Sequence, residues 1–338
     1  MKIRMKDIAK MANVSEAAVS LVLNDKPSRI SEKKKQEIKA IAKELNYVPN
    51  IAAQSLAKKA SRTVGVVIPD IENPFFSKLC KQLEERFRAI GYLTIIVNSN
   101  DDFTVEKNLI QMLVNRGVDG LIIALSNESF SVSEEQERFL KDLDTTFILV
   151  DRYVTFEEVN QVYFDSLVGG KLASEYLLQM GHREIAFMTG DLNVPSTLDR
   201  ITGYKQALGS YGLEVKNDYF IETGYRFKNG MEKAADLFAL NKVTAVVSAN
   251  DMVAFGILKQ AVKKEQKVPE DLSIIGYDRL EIADILDISL ATVEQDITLL
   301  AEKTVSLLKN VLDKPTKFTK RIVLEPTLFK GDSVKKVN

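Results

Sequence analysis

The sequence predicts an N-terminal all-α head followed by an α/β body of two doubly wound parallel-sheet subdomains. In the first sixty residues, three short helical patterns follow one another. From Thr63 onward, apolar runs alternate with amphipathic helical patterns, which is typical of parallel sheets covered by helices on both faces. At 338 residues and 45% apolar, the chain is long enough to form more than one core.

The head contains three helices whose apolar residues recur at helical spacing. The three buried faces are predicted to be Ile8, Ala9 and Ala12, then Val19, Val22 and Leu23, then Ile38, Ile41, Ala42 and Leu45. Asn13 tolerates the left-handed conformation of a tight junction, and Ser15 and Ser31 stand at N-cap positions. Two short helices joined by a tight turn and braced by a third form a helix-turn-helix.

The second of these helices is short because it only has to enter the major groove of DNA. Its outward positions are Ser15, Glu16, Ala17 and Ser20. The serines suit contacts with phosphates or bases. Glu16 suits a cytosine amine, although an exposed acid in the first turn, favoured by the helix dipole, is an equally good explanation of that residue.

Charge supports a nucleic-acid role for the head. The whole chain has a net charge of −1, but residues 1–60 hold 13 Lys and Arg against 6 Asp and Glu, while the remainder holds 33 against 41. A basic segment on an acidic body favours contact between that segment and phosphate groups or a membrane surface.

The body alternates strands and helices. Strands are predicted over Thr63–Ile68, Leu93–Val97, Gly120–Ala124, Phe147–Val150, Ile185–Met188, Ala245–Ser248 and Ser273–Tyr277. Helices are predicted over Pro74–Ile90, Thr104–Arg116, Ser166–Met180, Ser196–Tyr211, Met231–Leu240 and Met252–Lys263. Ligands of such sheets bind beyond the carboxyl ends of the strands.

Polar and aromatic residues concentrate at these strand ends or on the helices that follow. They are Asn73, Phe75, Phe76, Asp151, Arg152, Arg200, Asn250, Asp278 and Gln295. Paired donors and acceptors suit the hydroxyl edges of a sugar, and aromatic rings suit its C–H faces. For any one of these residues, a structural role explains the sequence as well as ligand binding does. Asn73 before Pro74 suits a helix cap, Asn250 or Asp251 suits another cap, and Phe75 suits the core.

Residue counts restrict the chemistry. The single histidine, His182, argues against most metal sites and against catalysis by histidine, and the single cysteine, Cys80, excludes a disulfide within the chain. We find no nucleotide-binding glycine loop, Gly-x-Ser-x-Gly motif or cluster of metal ligands, so we expect no enzyme, metal or cofactor. Without a signal region or an apolar run of ~20 residues, we expect a cytoplasmic protein that does not enter a membrane.

The chain resembles the lactose-repressor (LacI/GalR) family of bacterial transcription regulators over essentially its whole length. In the head, the resemblance lies in MKDIAKMANVSEAAVSLVLN, ISEKKKQEIKAIAKELNYVPN and AAQSLAKK. In the body, it lies in GVVIPDIENPFF, GVDGLII, LVDRY, GHREIAFMTG, SANDMVAFGIL and DLSIIGYD. The nine strand-end residues match the family's effector-contacting positions.

The resemblance implies a domain plan. It implies a periplasmic-binding-protein-like cleft, with the chain crossing between subdomains near residues 160, 292 and 325. The expected parts are a helix-turn-helix domain over 1–49, a hinge over 50–61 and an effector-binding and dimerisation domain over 62–338. Within the last, one subdomain covers about 62–160 and 293–325, and the other about 161–292 and 326–338.

The resemblance also implies DNA contacts from the hinge residues Asn50, Ala53 and Leu56. Leu56 matches a family leucine that wedges between base steps in the minor groove, where such a wedge bends the duplex. The head departs from the family at two places. Arg4 stands where a Thr cap is usual, and Ala18-Val19-Ser20-Leu21 replaces Thr-Val-Ser-Arg, so the preferred operator is expected to differ from the commonest family sites.

The function implied is a homodimeric repressor of a carbohydrate-utilisation operon that binds a palindromic operator. A monosaccharide or phosphosugar in the cleft controls its DNA affinity. The alternatives are a solute-binding protein and a corepressor-type regulator that responds to a phosphosugar, a nucleoside or a phosphoprotein partner. The basic head disfavours the first alternative, and the sequence leaves the sign of the response open.

Overall fold

The structure, a computed structural model, describes residues 3–24, 26–47, 60–285, 287–314 and 319–337, and the chain divides into two compact units, 1–61 and 62–338. The head has α1 (Met5–Ala12), α2 (Glu16–Leu23) and α3 (Glu32–Glu44). All three predicted helices are therefore confirmed.

Local contacts explain why the helices of the head begin and end where they do. Asn13 ends α1 in the left-handed conformation, with φ +49°. Ser15 Oγ accepts a hydrogen bond from Ala18 N (3.2 Å), so it caps α2 as predicted. Arg4, which lacks a capping oxygen, begins α1 with its own amide donating to Asp7 Oδ2 (2.8 Å). The first turn of α1 is thus held without a Thr cap.

The body contains the following elements. The strands are β1 (Thr63–Ile68), β2 (Leu93–Asn98), β3 (Gly120–Ile123), β4 (Phe147–Val150), β5 (Gln161–Phe164), β6 (Ile185–Thr189), β7 (Phe220–Glu222), β8 (Ala245–Ser248), β9 (Ser273–Asp278), β10 (Ala291–Glu294), β11 (Arg321–Leu324) and β12 (Thr327–Phe329). The helices are α4 (Pro74–Ala89), α5 (Phe103–Asn115), α6 (Asn127–Ser131), α7 (Ser133–Lys141), α8 (Ser166–Gln179), α9 (Pro195–Ser210), α10 (Phe227–Phe238), α11 (Asp251–Lys263) and α12 (Ile297–Asp313).

Two six-stranded sheets organise the body. The first has the order β11-β5-β4-β3-β1-β2, and the second has the order β12-β10-β9-β8-β6-β7. Neighbouring strands are parallel throughout, apart from the antiparallel pair β10 and β12. The predicted fold class, a helical head and two doubly wound subdomains, is confirmed.

The chain crosses between the subdomains three times, within a few residues of the expected positions. β5 pairs in the first sheet, so the first crossing follows Phe164 rather than residue 160. β10 pairs in the second sheet, so the next follows Glu294 rather than residue 292. The third lies between β11 and β12, near the predicted residue 325. Both shifts arise because a short strand adds to a sheet before the chain leaves it.

The central strands of each sheet are covered by helices on both faces, and successive side chains of a strand point to opposite faces. In β1, Val66 packs in a cluster with residues of α4 and α12, whereas Val67 packs with residues of α5. In β8, Val247 and Val246 divide in the same way between two clusters. No helix among the described residues is long and apolar enough to span a membrane.

Candidate functional site

The structure brings all nine predicted effector residues together. They line one cavity between the two subdomains, with Ser196 and Tyr225 completing the wall. The cavity has a volume of ≈ 30 Å³, which holds about two water molecules. A sugar therefore enters only when the two subdomains separate. Lining the cavity does not establish effector contact, and that role stays a prediction for each residue.

Asn73, Phe75 and Phe76 come from the start of α4. Asn73 Oδ1 accepts from Phe75 N (3.0 Å), so Asn73 is a helix cap as well as part of the wall. The two phenyl rings are both buried and meet edge to face, with 5.2 Å between their centroids. Aromatic pairs prefer this arrangement, which fixes the rings against one side of the cavity.

Arg152 follows β4 and is held by groups that sequence reasoning missed. Its Nη1 donates to Asp101 Oδ1 (2.9 Å) and to the carbonyl of Leu125 (2.5 Å). Its guanidinium carbon also lies 5.5 Å from the ring centre of Phe76. These contacts lock the guanidinium in place, so the side chain is oriented before any ligand binds.

Arg200 projects from α9 and stacks on Tyr277, with 3.6 Å between its guanidinium carbon and the ring centre. Its Nη1 donates to the carbonyl of Ala249 (2.8 Å). Its Nε has no hydrogen-bond partner among the described residues, although the side chain is only 8% exposed. A buried donor without an acceptor is costly, and such groups are usually satisfied by an ordered water or a bound molecule.

Asp278 and Asn250 complete the wall on the second subdomain. Gln295 Nε2 donates to Asp278 Oδ1 (2.9 Å), and burial raises the pKa of Asp278 well above its usual value. Asn250 caps α11, since its Oδ1 accepts from Val253 N (2.9 Å), while its Nδ2 donates to the carbonyl of Tyr225 (3.0 Å). The structural role considered for Asn250 is therefore present alongside its place in the cavity.

The charges of the cavity wall nearly balance. Arg152 and Arg200 face Asp151 and Asp278, and Asp101 adds a further carboxylate behind Arg152. Burial raises the pKa of Asp151, while the two arginines oppose that shift. Such a site offers donors and acceptors for hydroxyl groups.

Three polar contacts cross the cleft outside the cavity. Arg226 Nε donates to Asp70 Oδ2 (3.1 Å), and Lys78 Nζ donates to Glu281 Oε1 (2.8 Å). The Tyr153 hydroxyl donates to Asp199. Because each contact joins one subdomain to the other, together they favour the closed arrangement.

We expect Gly170→Ala to destabilise the body and to displace Arg200. A Cβ at Gly170 would lie 2.6 Å from Arg200 Cα, so α8 and α9 would have to separate. Overpacking of this kind costs about 1–3 kcal/mol, which corresponds to a fall in Tm of roughly 2–10 °C. Calorimetry of the purified variant measures it.

Gly209→Ala is the matched control, because a Cβ at that position in α9 meets no atom within 4 Å. This control should keep or slightly raise the Tm, since Ala favours a helix by up to about 1 kcal/mol over Gly. Equal melting temperatures for the two variants would show that the contact between α8 and α9 is not tight.

The predicted DNA-contacting residues are only partly described. Ser15, Glu16 and Ala17 are exposed at the start of α2, and Ser20 is half-buried. The backbone carbonyl of Ser20 accepts from Asn24 Nδ2 (2.8 Å). Asn50, Ala53 and Leu56 lie outside the described residues.

A helix-turn-helix head followed by two subdomains around a polar cavity defines a ligand-responsive DNA-binding regulator. Comparison with known proteins agrees. Residues 4–50 match the family described as bacterial regulatory proteins, lacI family, and residues 61–327 match periplasmic binding proteins and sugar binding domain of LacI family. The chain belongs to the LacI family of bacterial transcription regulators.

Relatives with assigned roles match over nearly the full chain. The regulator DegA of Bacillus subtilis is 32% identical over 100% of both chains. The ribose operon repressor of Escherichia coli K12 is 31% identical, over 97% of this chain and 99% of the repressor. A LacI family regulator from Enterococcus faecium with bound ribose is 31% identical, with a TM-score of 0.72, over 82% of this chain and 100% of that one. The lac repressor dimer bound to operator shares the fold, with a TM-score of 0.86 and 24% identity over 99% and 100% of the two chains.

Proposed function

We propose that the protein is a cytoplasmic, homodimeric repressor of a carbohydrate-utilisation operon, with no catalytic activity. Its head binds a palindromic operator through Ser15, Glu16, Ala17 and Ser20, and its hinge through Asn50, Ala53 and Leu56. A neutral monosaccharide binds the nine predicted cavity residues and controls operator affinity. The proposed parts are the head over 1–49, the hinge over 50–61 and the effector domain over 62–338.

The observation that carries the effector proposal is the unpartnered Nε of Arg200. It is a buried, charged donor in the wall of a cavity whose other members are carboxylates, amides and aromatic rings. A hydroxyl oxygen of a bound sugar supplies the missing acceptor. Phe75 and Phe76 offer apolar surface for the ring of the sugar.

The charged side chains of the cavity wall indicate which class of sugar binds. Because Arg152 is already paired with Asp101, and the carboxyl groups of Asp278 and Asp151 lie near Arg200, a neutral sugar suits the wall better than a phosphate dianion does. Two relatives support this class, since one is a ribose operon repressor and one carries bound ribose.

Control of DNA binding requires that the sugar bind one arrangement of the subdomains better than another. A sugar held by Arg152 on one side and by Arg200 and Asp278 on the other requires a more open arrangement than the one described, because the cavity there is only ≈ 30 Å³. The pairs between Asp70 and Arg226 and between Lys78 and Glu281 already favour closure. The sugar therefore shifts the subdomains from this closed arrangement to a more open one, and so changes the affinity of the head for its operator.

We expect D-ribose, or another neutral monosaccharide of similar size, to raise the melting temperature of the purified protein. At a concentration 100 times Kd, a ligand that binds only the native state adds about 2.7 kcal/mol, which for a body of this size is about 5–10 °C. The measurement is a thermal-shift series with D-ribose, other aldopentoses, aldohexoses and ribose 5-phosphate.

Arg200→Met is the control variant in that series, because it removes the donor and keeps most of the side-chain length. This variant should show no shift with the sugar that stabilises the wild type. A larger shift with ribose 5-phosphate than with every neutral sugar would contradict the proposed effector class. An equal shift in Arg200→Met would contradict the role given to Arg200.

A further inference from the structure

Asp251 is a buried carboxylate directly behind the wall of the cavity. It is the first residue of α11, follows the cavity residue Asn250, and is 0% exposed. Burial raises its pKa to about 7, although hydrogen bonds oppose that shift. Because an unpaired buried carboxylate is costly, its partners show what it stabilises.

Both oxygens of Asp251 are used in contacts with other elements. Its Oδ2 accepts from the amide of Leu280 (2.8 Å), and its Oδ1 accepts from Thr292 Oγ1 (2.7 Å) in β10. Thr292 Oγ1 in turn accepts from the amide of Arg279 (3.4 Å). Asp251, directly and through Thr292, therefore holds the two backbone amides that follow Asp278.

The backbone held in this way has an uncommon conformation. Asp278 has a φ of +110° and Arg279 a φ of +58°, so two successive residues other than glycine take positive values. Such residues persist only where surrounding contacts hold them, and they concentrate at ligand sites. Here the turn ends β9 so that Asp278 faces the cavity and accepts from Gln295.

The end of β9 is also shaped to receive the carboxylate of Asp251. A Cβ at Gly276 would overlap Asp251 Oδ1, so a glycine at this strand position makes room for the carboxylate. The carboxylate thus packs closely between α11, β9 and β10, and it has no space to turn toward solvent.

We propose that Asp251 is a positioning residue for effector binding, which fixes the turn over residues 278–280 and so aims the carboxylate of Asp278 into the cavity. The role of Asp251 in fixing the turn does not depend on the proposed function. Only the expected effect on sugar binding rests on the proposed function.

Asp251 also acts on Asp278 through charge. Its negative charge raises the pKa of Asp278 further, beyond the effect of burial, and Asp151 adds a smaller effect in the same direction, while Arg200 and the hydrogen bond from Gln295 oppose the rise. Arg279 is the cation that lowers the pKa of Asp251 itself. Removal of the Asp251 charge should move the protonation of Asp278 to lower pH.

Two variants separate the effect of the hydrogen-bond acceptors of Asp251 from the effect of its negative charge. Asp251→Ala removes the acceptors of Leu280 and Thr292, whereas Asp251→Asn keeps one acceptor oxygen and removes the charge. Asp165→Asn is the matched control, since Asp165 begins another helix, α8, by accepting from Val168 N (3.0 Å) and is not part of the cavity wall. Circular dichroism and thermal melting of each variant establish that it folds.

The first measurement needs no ligand. Amide hydrogen exchange in the full-length protein reports opening of the turn. In Asp251→Ala, the amides of Arg279 and Leu280 should exchange at least about tenfold faster than in the wild type. In Asp165→Asn, they should exchange at the wild-type rate. Unchanged exchange in a folded Asp251→Ala variant overturns the proposal, whether or not any sugar binds.

The second measurement is the Kd for D-ribose by calorimetry over a range of pH. We expect Kd to rise about 10- to 100-fold in Asp251→Ala, because the carboxylate of Asp278 would no longer be aimed at the sugar hydroxyls. For the wild type, affinity should fall as acid protonates Asp278. That fall should occur at lower pH in Asp251→Asn, because Asp278 then lacks the repulsion from Asp251.

The outcomes are distinguishable. If the wild type does not bind D-ribose, the effector class in the proposed function is wrong, and hydrogen exchange alone decides whether Asp251 fixes the turn. If D-ribose binds and its Kd changes less than twofold in Asp251→Ala, Asp251 is not a positioning residue. If Asp251→Ala does not fold, hydrogen exchange in Asp251→Asn decides: one of the two acceptor oxygens is lost, so wild-type exchange rates at both the Arg279 and Leu280 amides would overturn the proposal.

Discussion

Arg152→Ala is expected to abolish the response to the effector while leaving operator binding intact. Arg152 lines the cavity, and its guanidinium is held by Asp101 and by the carbonyl of Leu125. Loss of this charged donor removes hydrogen bonds worth about 1.5–3 kcal/mol each, so half-maximal release of DNA should need about 100-fold more effector or more. The measurement is titration of a protein–operator complex with the effector, using an operator selected from random duplexes by the wild type.

Three further variants make this result specific. Arg152→Lys keeps the charge but loses the planar fork, and should respond at an intermediate concentration. Arg183→Ala removes an arginine that also donates to the carbonyl of Leu178 (3.0 Å) but is not part of the cavity wall, and should behave as the wild type. Asp101→Asn weakens the partner of Arg152 and should raise the effector concentration only moderately. Release of DNA by Arg152→Ala at the wild-type effector concentration would show that the effector does not bind here.

Strands that are buried on both faces were predictable from the sequence. The strands Thr63–Ile68 and Phe147–Val150 have the predicted bounds, because each is a continuous apolar run ended by residues typical of turns. The strands over residues 161–164, 321–324 and 327–329 were missed. They are short, mix polar with apolar residues, and depend on partners distant in the chain, as when Arg321 pairs with Gln161. No local periodicity marks such strands.

The candidate site was predictable for a related reason. The carboxyl ends of parallel strands meet at one edge of a sheet, so polar and aromatic residues at those ends, or on the helices that follow, assemble into one cavity. The family resemblance pointed to the same residues. Tyr225 was missed because it follows the unpredicted strand β7, and α10 begins at Phe227 rather than at Met231. Asp101 was within reach of the same reasoning, since it lies three residues after the end of β2.

The roles of Asn73 and Asn250 show a limit of residue-by-residue reasoning. Each was weighed as either a helix cap or a ligand contact, and the structure makes each a cap that also lines the cavity. The two roles are compatible because a helix that begins at a strand end places its cap beside the cleft. Capping fixes the position of the amide and so prepares it to meet a ligand.

Leu56→Ala is expected to weaken specific operator binding by about 10- to 100-fold. The prediction rests on the family resemblance, since Leu56 lies outside the described residues. A leucine that wedges between base steps stabilises a bent duplex that meets more of the protein. Non-specific binding depends on neutralising phosphates and should change by less than about threefold. Fluorescence anisotropy with the selected operator and with a scrambled duplex of equal length measures both affinities.

The control is Leu198→Ala, which removes an exposed leucine of the body and should leave both affinities unchanged. Salt titrations separate the wedge from electrostatic effects. Because Leu56→Ala removes no charge, the slope of log Kd against log salt should match that of the wild type for the scrambled duplex. If the variant lost affinity equally for both duplexes, Leu56 would act on the head or the dimer rather than on the operator. A loss confined to the operator would place specificity partly in the cost of bending DNA.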